Sequence, residues 1–74
     1  MEIPSQIKTA AASYLRLLPG SKIVYLGEYG GGTAFYVRFP EKMKVGYPPA
    51  FLLVSGKVTE INGEDALDLI SSFS

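Results

Sequence analysis

Four carboxylates crowd the end of the chain: Glu60, Glu64, Asp65 and Asp68. Glu64 and Asp68 stand four residues apart, so on a helix they would offer two oxygens from one face to Mg²⁺ or Ca²⁺, with Glu60 as a third donor from the strand before. No EF-hand spacing accompanies them, and acidic residues in a first helical turn are accounted for by the positive helix end. The expectation is therefore no metal and no other cofactor, with an acidic metal site at the last helix as a remote alternative. The 74 residues contain neither His nor Cys. That removes imidazole bases, thiolate nucleophiles, Cys/His zinc sites and disulfides together. Ser21 beside Lys22 is a nucleophile by type, but nothing nearby in sequence would activate it. Two-carboxylate chemistry would need Glu28 or Glu41 to meet the terminal acids across a cleft, and a chain this short leaves little depth for a pocket of about 300 Å³. No enzymatic activity is expected.

Gly27, Gly30, Gly31 and Gly32 form the other conspicuous cluster. They fit neither G-x-G-x-x-G nor a P-loop, and they run from one strand-like segment into another rather than into a helix, so they read as a hairpin turn. Seven basic side chains balance seven acidic ones, for a net charge of zero and a pI near 6.1. No global field would draw the protein to nucleic acid or an anionic membrane. The 47% hydrophobic content excludes disorder and exceeds what so small a domain needs. The longest strongly apolar run, Phe51 to Val54, is far shorter than the roughly 20 residues of a membrane span, and Met1-Glu2-Ile3-Pro4 lacks a basic leader. A single soluble, cytoplasmic domain without membrane association is expected.

The elements follow from periodicity. Ile7, Ala10, Ala11, Tyr14 and Leu18 mark one face of an amphipathic helix from Pro4 to Leu18, which Pro19-Gly20 terminates. Segments 21–29 and 33–39 are β-branched and aromatic and flank the glycines as a hairpin. Its register has two solutions. With three glycines in the loop, Ile23, Tyr25 and Tyr29 share a face with Phe35, Val37 and Phe39; with two, Val24 and Leu26 do. Both sets are apolar, so either choice leaves hydrophobic side chains on the far face, together with Tyr36 and Arg38. Residues 40–50 read as an irregular flap or a short lysine-guarded edge strand, with Met43, Val45 and Tyr47 between Lys42 and Lys44 and the prolines. Segments 51–54 and 57–61 flank Ser55-Gly56 as a second hairpin, and Asn62 caps a terminal helix carrying Ala66, Leu67, Ile70 and Phe73. The fold class is α+β, a single small domain over residues 1–74 in the order α-β-β-β-β-α, with an antiparallel meander sheet and both helices on one face.

Two nucleic-acid families offer partial likenesses. Residues 32–39 resemble the aromatic strand of RNA-recognition motifs at Tyr36, Val37 and Phe39, without its leading basic residue, glycine and first aromatic. The element order is similar to that of double-stranded RNA-binding domains, which present lysines at the start of the last helix; here Gly63, Glu64 and Asp65 stand there and would repel phosphates. What these likenesses imply is confined to single strands stacking on Tyr25 or Tyr36 beside Arg38 and Lys22. Protein association ranks above it. A sheet with both helices on one side leaves an open face of Val24, Tyr25, Leu26, Tyr36, Arg38 and Tyr47, suited to a homodimer or another protein partner, unless the flap covers it. Of the neighbours Tyr25 and Leu26, one would then be core and the other interface.

Overall fold

The computed structural model describes residues 3–40 and 47–73. Helix α1 (Ser5–Leu17) starts where Pro4 turns its carbonyl to the amides of Ile7 and Lys8, both at 3.1 Å. It ends at Leu18, and Gly20, at φ +93°, makes the left-handed exit into the sheet. Four strands follow as an antiparallel meander in the order β1-β2-β3-β4: β1 (Lys22–Tyr29), β2 (Gly32–Arg38), β3 (Ala50–Val54) and β4 (Lys57–Ile61). Helix α2 (Gly63–Ser71) closes the described chain, with Asn62 at its N-cap in extended conformation but making no side-chain capping bond. The expected element order and antiparallel meander are present. The flap residues Lys42, Met43, Lys44 and Val45 lie outside the described residues.

The first hairpin combines features of both expected registers. Gly30 and Gly31 alone form the turn, at φ +55° and +83°, and Tyr29 pairs with Gly32. A bulge at Leu26 then inserts one residue, so Tyr25 faces Phe35 and Ile23 faces Val37 beyond it. Gly27, at φ +150°, adopts a conformation that a side chain would strain, and a Cβ there would stand 2.8 Å from the Phe73 ring. Because of the bulge, Tyr25 lies on one face while Leu26, Gly27 and Tyr29 lie on the other.

This register divides the core in two. On one face Ile7 and Ala11 of α1 pack on Phe35, Val37 and Phe51, all fully buried, with Tyr14, Ile23, Phe39, Leu53 and Val58 around them. On the opposite face Ala66 and Leu69 of α2 pack on Ala34 and Ala50, with Leu26, Tyr36, Leu52, Ile61 and Phe73 around them. The strand alternation is strict: Phe35 and Val37 against Ala34 and Tyr36, Phe51 and Leu53 against Ala50 and Leu52. The two helices therefore cover opposite faces, not one face as the element order α-β-β-β-β-α suggests. The cause lies in the strands, which are apolar at both parities and need a helix on each side. Alanines at 34, 50 and 66 let α2 approach closely with little side-chain bulk between helix and sheet.

Candidate functional site

The residues expected on one open face are distributed over two. Val24 and Tyr36 are cross-strand partners on the α2 side, and Lys22 and Arg38 are the next such pair on that side, two residues further along each strand. Leu26 belongs to the α2 cluster and is half-buried. Tyr25 lies on the α1 side, 39% exposed, its ring 5.5 Å from that of Phe35. Tyr47 precedes β3 and is 51% exposed. Tyr25 thus cannot share a stacking surface with Tyr36 and Arg38, and of the six expected residues Val24, Tyr36 and Arg38 form one compact strip, which Lys22 joins.

The strip exists because α2 is short. Nine residues make a helix of about 13 Å, and a helix about 10 Å wide covers about half of a four-stranded sheet whose strands stand about 4.8 Å apart. Its course leads from Ile61 at the β4 edge to the other edge, where Phe73 packs on Gly27 and stands 6.2 Å from Tyr29, centroid to centroid. On one side of that diagonal lies the strip. At its end a shallow hollow of about 350 Å³ is lined by Gly20, Lys22, Arg38, Phe39 and Pro40. Lys22 directly opposite Arg38 sets two like charges together, an arrangement that costs stability and draws an anion. On the other side of α2 a hollow of about 440 Å³ is lined by Tyr29, Leu52, Ile61 and Leu69, with Asp65, Asp68 and Ser72 from the helix.

The acidic residues do not assemble as a metal site would require. Glu60 projects to the α1 face, where its Oε2 accepts a 2.7 Å hydrogen bond from the Tyr14 hydroxyl. The sheet separates it from Glu64 and Asp68 on α2. Among the described residues no three of His, Cys, Asp and Glu stand close enough to share a cation. The bond to Glu60, followed by partial burial and the carboxylate's charge, holds the Tyr14 hydroxyl above its ordinary pKa of 10.0. A phenol shifted this way keeps its proton and is no base. Ser21 Oγ is buried with no hydrogen-bond partner among the described residues, so no neighbouring group activates it.

Sequence reasoning missed the Tyr14–Glu60 bond and the second, α2-side core. The first joins residues 46 apart and leaves no local trace. The second had a signal in Ala34 within β2 and Ala50 at the start of β3, whose small side chains mark a close approach. No helix among the described residues is long and apolar enough to cross a membrane. Comparison of the chain with family models, with curated proteins and with solved structures finds no match to any of them.

Proposed function

We propose that this chain is a non-catalytic association module that forms a homodimer through the part of its sheet that α2 leaves open. One observation carries the reading: Val24 and Tyr36 remain only half-buried on a sheet face whose other half α2 covers, and the paired cations Lys22 and Arg38 border them. Aromatic and arginine side chains around a small apolar patch are the composition of protein interfaces. The fully buried residues of the described core are all apolar, which suits a packing role. With no cysteine to oxidise, the chain suits the cytoplasm.

Light scattering coupled to size exclusion tests the proposal across low to high micromolar concentration. A mass rising from one protomer to two is expected. A strict monomer throughout overturns it. Single-stranded nucleic acid is the second reading, favoured by Tyr36 beside two adjacent cations. A monomer that binds a labelled oligonucleotide at low salt, and loses it at high salt, points to that reading instead.

A further inference from the structure

We infer that the occupant of the open strip is helix α2 of a second copy, seated reciprocally, so that each copy's last helix completes the helical layer on the other's sheet. This rests on the dimer proposed above and specifies its contacts. The outward stripe of α2 is Glu64, Leu67, Asp68 and Ser71, at i, i+3, i+4 and i+7, and all four are exposed. Leu67 is 39% exposed although it stands on a helix whose opposite face is fully engaged with the sheet. A single leucine between two carboxylates matches a strip that offers Val24 and Tyr36 beside Lys22 and Arg38: apolar meets apolar, and acid meets base.

Charge distribution selects a second copy over an unrelated partner. Residues 58–74 carry four acidic side chains and no basic one, whereas residues 1–57 carry seven basic and three acidic. Each copy therefore supplies both the anionic helix and the cationic strip, which lie beside each other on the same face. A two-fold axis running parallel to α2, midway between helix and strip, brings each helix over the other strip and makes both contacts at once. The unfavourable Lys22–Arg38 juxtaposition is then neutralised by Glu64 and Asp68 of the second copy. Lengths agree as well: the stripe from Glu64 to Ser71 spans about 10 Å of helix, and Lys22 to Val24 with the paired Arg38 to Tyr36 spans about 7 Å of strand.

Reversal of charge on each side provides the test. One variant carries Lys22→Glu with Arg38→Glu, the other Glu64→Lys with Asp68→Lys; all four positions are exposed, and circular dichroism checks that each variant remains folded. In sedimentation equilibrium each variant alone should associate at least tenfold more weakly than wild type. Their equimolar mixture should recover dimer, because both contacts in the mixed pair are again of opposite sign. A third variant, Leu67→Ser, should stay folded and weaken association at least fivefold. If wild type dimerises but the reversals leave its association unchanged, or the mixture fails to recover dimer, or folded Leu67→Ser associates like wild type, the helix-on-strip contact is overturned while the dimer stands. If wild type is a monomer at every concentration, both fall.

Discussion

Tyr14 shows how a single side chain ties two distant parts of this chain together. Its ring packs edge-on against Phe51 at 6.3 Å and tilted against Phe39 at 6.4 Å, and its hydroxyl donates to Glu60 on β4. By sequence it is one apolar position in a helix, and Glu60 is one member of an acidic cluster. Neither reading is wrong about the residue, yet the bond between them depends on the sheet bringing β4 under α1. Tyr14→Phe keeps the ring and removes the bond, and should cost about 0.5 kcal/mol, at the low end for a hydrogen bond because the pair is solvent-accessible. The pH dependence has a definite sign. A folded-state pKa raised above 10.0 means that the neutral phenol is favoured in the native state, so this contribution is full below pH 10.0 and lost as pH rises through the higher folded value. Urea denaturation at pH 8 and pH 11 should therefore show the gap between wild type and Tyr14→Phe closing at the alkaline end. A gap that persists or widens there would show that the phenol proton is not what Glu60 holds.

Among the elements, β1 decides the architecture. It carries Ile23 and Tyr25 at one parity, on the α1 side, and Val24 and Leu26 at the other, on the α2 side. The order of elements, both hairpins and the ends of α1 were legible because turns and amphipathic periodicity are local properties. Helix placement was not, since a short helix after the last strand can fold back over either face. The ambiguity in the hairpin was itself the clue: a strand apolar at both parities belongs to a sheet buried on both sides. The bulge at Leu26 was invisible because Gly27 reads equally well as a weak strand residue. Leu26 and Tyr25 now separate into distinct predictions. Leu26→Glu places a charge in the α2 cluster and should destabilise by about 2 to 4 kcal/mol. Tyr25→Glu, on the α1 side, should cost about 1 kcal/mol of aromatic packing against Phe35 and leave dimerisation unchanged. Thermal melts together with sedimentation measure both. Dissociation of a folded Tyr25→Glu dimer would move the interface to the α1 side.

For the molecule as a whole, a net charge of zero conceals a division into a basic part, residues 1–57, and an acidic part, residues 58–74. The acidic part is essentially β4 and α2, and α2 crosses the sheet face from the β4 edge toward β1, beside the strip that carries Lys22 and Arg38. The high apolar content has a corresponding address. Most of it lines two thin cores, one under each helix, and the α2-side core is built largely of alanines with Leu69. Such a core buries little area per residue, and 74 residues without a cysteine for a disulfide leave a small margin of stability. In the proposed dimer, burial between copies adds to that margin and makes stability depend on concentration. Unfolding absorbs about 0.7 kcal/mol of enthalpy per residue, about 50 kcal/mol per protomer, so a dimer that dissociates as it unfolds should gain about 5 °C in Tm for each tenfold rise in protein. Differential scanning fluorimetry over a hundredfold range of concentration measures this directly. A Tm that does not move over that range would mean that each protomer is stable alone and that the half-covered sheet face contributes nothing to holding the fold together.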